Sequence, residues 1–319
     1  MRWIAFLVAL LLFAPPGAAE TGARMFRIAH VATSKISMEE TRRATFPELA
    51  KLGFEEGRNL VISEWRADTA ALPGLMAEML RSRPDAIIAI GPDAVRAAAA
   101  ATKTVPIISF GPDIVSLGMA ASQTRPGGNV TGVVILAAQL DAKRLELLTQ
   151  ALPAARRFSV LLMTTTPQRD ASERALRAFA ADSNLTLHVF DAGHAAEYAP
   201  AFARIRAAGS DAVVIGANVT FYRDGARLAA LALESGLPSI CEWADMAAMG
   251  CMIGYGPNRT EMRRRLAYYA ARIFAGTPAG ELPVELPTHF ELALNLKVAR
   301  TLGVTIAADV QARADSVIE

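Results

Sequence analysis

The sequence predicts an α/β protein of two lobes with mostly parallel sheets, and three observations carry that expectation. Short apolar runs rich in β-branched residues alternate with stretches of helical spacing along most of the chain, the pattern of βαβ units. The alternation occurs twice, in halves of similar grammar separated by the break Arg125-Pro126-Gly127-Gly128-Asn129. A length of 319 residues also exceeds one typical domain, and 52% hydrophobic with 20% charged residues suits a globular chain with a large core.

The first half opens with a strand at Phe26 to Val31, which ends in the small and polar residues Ala32 to Lys35. Helical spacing follows from Glu39 to Leu52, then a strand at Leu60 to Trp65 and a helix at Leu72 to Arg81. The run Ala86 to Ile90 is a third strand ending at Gly91-Pro92-Asp93, and Val95 to Ala101 is an Ala-rich helix. Pro106 to Phe110 is the fourth strand. It ends in Gly111-Pro112-Asp113, where Asp113 is placed to cap a helix beginning at Ile114. Pro-Gly-Gly then forces a turn, and Val130 to Val133 is a short strand entering the second half.

In the second half Phe158 to Met163 is a strand ending at Thr164-Thr165-Thr166, and Pro167 to Ala181 is a helix. Leu185 to Phe190 and Ala212 to Gly216 read as strands around a helix at Ala195 to Ala207. A helix from Phe221 to Ser235 leads to the strand Pro238 to Cys241, which ends at Glu242-Trp243, and Cys251 to Tyr255 is the last strand. Arg259 to Phe274 is helical, Gly276-Thr277-Pro278 and Leu282-Pro283 form a linker, and the apolar positions of the tail require burial. The expected division is therefore 25–130 and 131–256 for the two lobes, with 257–319 a crossover helix and a C-terminal segment packing across them.

Arg2, the apolar run Ile4 to Ala14 and the small residues Gly17-Ala18-Ala19 have the three parts of a secretory leader, so residues 1–19 are expected to be removed. The apolar run is too short to span a bilayer of ~30 Å at ~1.5 Å per residue. In an oxidising compartment Cys241 and Cys251 are free to pair, while two small buried apolar residues are the other reading, and the spacing does not choose. The chain has 33 Lys and Arg against 31 Asp and Glu, a balance that speaks against a nucleic-acid partner.

In an open α/β sheet, ligands lie beyond the carboxyl ends of the strands, where helix amino termini point free N–H groups. That rule selects Ser34, Gly91, Pro92, Phe110, Gly111 and Asp113 in the first lobe. In the second it selects Thr164, Thr165, Asn218, Glu242, Trp243 and Tyr255. Hydroxyls, amides, carboxylates and aromatic faces together suit a small polar or aromatic ligand. Asp113 reads first as a cap, Thr164 and Thr165 also as caps of the next helix, and Trp243 also as core. The histidines, His30, His188, His194 and His289, have no metal-ligating spacing. Neither a nucleophile elbow nor a phosphate- or dinucleotide-binding glycine motif occurs, so no cofactor is expected.

Three stretches carry a resemblance: RPGGNVTG at Arg125 to Gly132, LPVELPTHFELALNLKVARTLGV at Leu282 to Val304, and RADSVIE at Arg313 to Glu319. They closely resemble the substrate-binding proteins of ABC transporters typified by tryptophan and tyrosine binders. The resemblance implies a type I periplasmic binding protein with two Rossmann-like lobes, a hinge between them, an ABC permease as partner and a periplasmic location. It implies an amino-acid ligand in some relatives, with a carboxylate at the strand end of Glu242 binding the ammonium group. Here Gly111-Pro112-Asp113 stands where the family has Asp-Pro, and Gly91-Pro92 where it has Thr, so an aromatic or other organic acid stays open. We expect a monomer that is not an enzyme. A periplasmic sensory module for a signalling receptor and an exported α/β enzyme are the rival readings; the second lacks a nucleophile with a base.

Overall fold

In the computed structural model, residues 24–164 and 168–319 are described. The expected leader and Thr165 lie outside them. Among the described residues no helix is long and apolar enough to cross a membrane.

The chain runs β1 (Phe26–Ala32), α1 (Lys35–Lys51), β2 (Leu60–Arg66), α2 (Leu72–Arg81), β3 (Ala86–Ile90), α3 (Pro92–Ala101), β4 (Ile107–Gly111) and β5 (Val130–Val134). It continues with α4 (Ala137–Ala151), β6 (Arg157–Met163), α5 (Arg169–Asp182), β7 (Thr186–Ala192), α6 (Tyr198–Ala207), β8 (Ala212–Ile215), α7 (Val219–Arg223), α8 (Gly225–Glu234) and β9 (Ser239–Cys241). The last elements are β10 (Ile253–Pro257), α9 (Arg259–Phe274), β11 (Phe290–Asn295), α10 (Leu296–Thr301), α11 (Ala308–Gln311) and β12 (Ser316–Ile318).

Two sheets result, ordered β2-β1-β3-β4-β5 and β12-β11-β10-β9-β8-β6-β7. Every ladder is parallel except β10 with β11. Strand β3 shows why its sequence AIIAI is apolar throughout: all five residues are buried because helices cover both faces. Ile88 and Ile90 meet α1 and α9 on one face, while Ile87 and Ala89 meet α2 and α3 on the other. The second sheet repeats the arrangement, with α4 and α5 on one side and α6 and α8 on the other.

Three expectations need correction. The boundary at 130/131 cuts off β5, which pairs with β4 from Ile107↔Val130 to Gly111↔Val134 and completes the first sheet. The segment 257–319 divides between the sheets. Its helix α9 buries Met262, Leu266, Tyr269 and Phe274 against the first, each worth roughly 1.5–3 kcal/mol, whereas β11 and β12 extend the second. The chain thus passes between the sheets after β5, after β10 and before β11. Finally, the stretch after Asp113 forms turns instead of a helix: Asp113 Oδ1 accepts from the N–H groups of Val115 and Ser116 at 3.1 and 3.2 Å. The cap reading holds, on a smaller structure.

Cys241 and Cys251 form a disulfide, with Cα atoms 6.2 Å apart and a sequence separation of 10. Of the two readings left open by their spacing, pairing is the one the fold realises. A loop of this length stabilises by about 2.5 kcal/mol through the unfolded state. Reduction, or Cys241→Ser with Cys251→Ser, should lower the unfolding free energy by that amount in urea titration; an unchanged midpoint would mean that native strain cancels the gain.

Candidate functional site

A cleft of about 550 Å³ lies between the carboxyl ends of the two sheets. Each wall is made by the residues that follow a strand. From the first lobe come Ser34 after β1, Gly91 and Pro92 after β3, and Phe110 and Gly111 at the end of β4. Ser34 caps α1, its Oγ accepting from Ser37 N–H at 3.5 Å, and α3 begins at Pro92 without a side-chain cap. These amino termini carry partial positive charge and favour an anionic group.

From the second lobe come Asn218 after β8 and Glu242 and Trp243 after β9. The Asn218 side chain accepts from Thr220 N–H at 2.7 Å, and its own N–H donates to Glu242 Oε2 at 3.0 Å. Strand β10 closes tightly on this corner, because a Cβ at Gly256 would fall on the carbonyl oxygen of Glu242. Glu242 is only 7% exposed. Burial pushes its carboxyl up to about 7; Arg144 and Arg259 pull it down, and Asp141 pushes it further up.

Not every expected residue faces the cleft. Asp113 is spent on its turn. Thr164 ends β6 with its N–H donating to Ala192 O at 3.3 Å, and α5 begins after it at Arg169 with Gln168 in the cap position. Neither is among the lining residues. Tyr255 packs on the face of the second sheet that α4 and α5 cover, and its ring stacks on Phe290 with centroids 5.9 Å apart. Strand β10 runs two residues past Tyr255, to Pro257, so Tyr255 lies inside the strand and is not among the lining residues.

The helix start after β10 supplies what the strand-end rule missed. Arg259, the first residue of α9, lies over the ring of Tyr222 at 3.8 Å and that of Trp243 at 5.1 Å. It pairs with Asp245 Oδ2 at 3.0 Å and with Glu40 of α1. Arg263, one turn later, lies over Phe110 at 4.5 Å and pairs with Glu40 Oε2 at 2.7 Å. Burial pushes the Arg263 guanidinium down to about 10. The Tyr222 hydroxyl donates to Asp245 Oδ2 at 2.9 Å and lies 3.4 Å from Glu40 Oε1. Glu40 and α9 belong to the first lobe and Tyr222 and Asp245 to the second, so this network bridges the cleft. Basic residues spaced four apart on a helix that directly follows a strand were the available sequence signal.

Behind the cleft His30 is wholly buried, edge-on to Phe46 with centroids 5.6 Å apart. Burial, with Arg42 and Arg263 nearby, pushes it down to about 3 and keeps it neutral.

The arrangement has aromatic faces, a buried carboxyl on one wall and helix amino termini on the other, the chemistry of a zwitterionic or acidic small molecule. The family described as ABC transporter substrate binding protein matches residues 29–318. No curated protein matches the chain. Among solved structures, a conserved domain protein from Vibrio cholerae is 24% identical with a TM-score of 0.85, covering 92% of this chain and 100% of its own. An ABC domain in complex with L-Trp from Streptococcus pneumoniae is 20% identical with a TM-score of 0.83, over 92% and 100%. The ligand-free, open structure of a substrate binding protein with adhesive properties from Clostridium difficile is 21% identical with a TM-score of 0.71, over 92% and 99%.

Proposed function

The chain belongs to the family of ABC transporter substrate binding proteins, and from that premise we propose that it is the periplasmic binding component of an ABC importer. Its two lobes close on a small organic molecule, either an amino acid, aromatic ones included, or an aromatic or other organic acid, and present the closed form to a permease. The observation that supports this reading is the cleft itself, to which each lobe contributes groups of different chemistry. Contacts to both lobes supply the differential affinity that shifts open and closed populations. The L-Trp complex among the related structures favours an amino acid.

Within this reading Glu242 takes the ligand's ammonium group, and the starts of α1 and α3 take its carboxylate. Phe110 and Trp243 border the remaining space. A screen of amino acids, aromatic acids and small dicarboxylates by thermal shift identifies the ligand, since saturation at ~100 times the dissociation constant stabilises by ~2.7 kcal/mol. Glu242→Gln should then weaken an amine-bearing ligand by about 2 kcal/mol, or ~30-fold, the scale of a hydrogen bond to a charged group. Because the ionised carboxyl is the binding form, affinity in the parent should rise as pH increases through about 7, and in Glu242→Gln it should stay flat. Equal affinity in parent and variant by calorimetry would remove Glu242 from the ligand site.

A further inference from the structure

Beneath the second wall lies an ion pair that the ligand reading leaves unused. Arg144 of α4 is wholly buried, at 0% exposure, and Asp141, three residues before it, is at 1%. Each of the three guanidinium nitrogens of Arg144 donates a hydrogen bond. Its Nε donates to the carbonyl of Tyr255 at 2.9 Å, Nη2 to the carbonyl of Glu242 at 3.0 Å, and Nη1 to Asp141 Oδ1 at 2.8 Å. Asp141 Oδ1 also accepts from the N–H of Ala217 at 3.1 Å. Two side chains on one helix therefore hold the chain after β8, the chain after β9 and the middle of β10.

We propose that Asp141 and Arg144 are a positioning pair for Glu242, holding its carboxyl at the cleft surface for the ligand. The proposal rests on the reading of Glu242 as the ligand's ammonium partner. Stability alone does not account for the pair, because well-packed apolar residues in place of a buried ion pair are often neutral or stabilising. Its partners are what distinguish it. Three of the hydrogen bonds go to backbone at or just behind the cleft wall, at Ala217, Glu242 and Tyr255. Ala217, held by Asp141, directly precedes Asn218, whose N–H donates to the Glu242 carboxylate.

The pair also governs charge. Glu242 is faced by Asp141 and Arg144 from α4, by Arg259 from α9 and by the Asn218 N–H at the start of α7; Gly256 of β10, which has no titratable group, lies close to its carbonyl. Arg144 favours the ionised carboxyl and Asp141 opposes it. Removing the first should raise the pH at which Glu242 ionises, and neutralising the second should lower it. A side chain that only fills space would move neither.

Trp243, next to Glu242, reports on that ionisation. In the mature chain with Trp65→Phe it is the only tryptophan, and its emission is followed against pH without ligand. Adding Glu242→Gln should abolish the step near neutral pH, which identifies it. Arg144→Met should move the step up by at least one pH unit, a tenfold change in proton affinity, and Arg144→Lys should restore most of it. Asp141→Asn, which keeps the oxygen that accepts from Ala217, should move the step down. If Arg144→Met does not fold, the Asp141→Asn and Arg144→Lys proteins still decide. An Asp141→Asn step within the parent's range, or a parent with no Glu242-dependent step, overturns the proposal. The ligand screen plays no part in these titrations, so the two readings fail separately.

Discussion

Gly132→Ala should cost more than about 4 kcal/mol of stability, enough to leave the protein largely unfolded or insoluble. Gly132 closes the RPGGNVTG stretch and lies in β5 with φ +137°, opposite Ser109 of β4. A Cβ built there falls on the carbonyl oxygen of Ser109 and 2.6 Å from its nitrogen, and both atoms are backbone. No side chain can turn aside to make room. Relief requires β5 to leave β4, which also disturbs the crossing chain, since Glu285 N–H donates to the Gly132 carbonyl at 2.9 Å and Val134 N–H to that of Glu285 at 2.9 Å. Gly128→Ala, in the same stretch, is the control: its Cβ would meet nothing nearer than 3.8 Å, and its cost should stay below about 1 kcal/mol. Urea unfolding of the two proteins side by side is the measurement. Equal midpoints would mean that steric fit does not explain the glycine.

Arg259→Ala should cost about 3 kcal/mol, near the lower end for breaking a buried ion pair, and should open the cleft. The guanidinium is 13% exposed, joins Glu40 to Asp245 and lies against Tyr222 and Trp243. Glu40 keeps Arg263 and Asp245 keeps the Tyr222 hydroxyl, which moderates the loss. Arg259→Lys keeps the charge without the flat group that lies over the Tyr222 and Trp243 rings, so it should recover less than half. Small-angle scattering of the ligand-free protein should show a larger radius of gyration for Arg259→Ala than for the parent. A variant with lower stability but an unchanged radius would confine Arg259 to a packing role.

The parts of the molecule legible in the sequence were those with a local signal. Ala86–Ile90 is five apolar residues bounded by Pro84-Asp85 and Gly91, and a strand buried on both faces has that appearance. The strand-end rule reached Asn218, Glu242 and Trp243 for the same reason, because the position of a strand's end is written in its own residues. Long-range partnership was not. Nothing local to Arg144 says that it will lie under the end of β9 and the middle of β10, about a hundred residues further on. The place of β5 depended on a choice between two sheets that its three valines, threonine and glycine do not make. Tyr255 shows the limit within a strand: β10 runs on to Pro257, and a strand end placed two residues early decides whether a side chain is expected to border the cleft or to pack in the core.

The route of the chain between the sheets bears on how the protein is made. The face of the first sheet formed by Ile28, Ile88, Ile108 and Phe110 is covered in part by α9, which is synthesised only after almost the entire second lobe. Until residues 259–274 emerge, α1 alone of these two helices covers that apolar face, and β10 likewise waits for β11. Neither lobe reaches its final form from a contiguous nascent segment. Completion of both is deferred to about the last fifth of translation, and over that interval the incomplete chain exposes apolar surface that the finished fold buries.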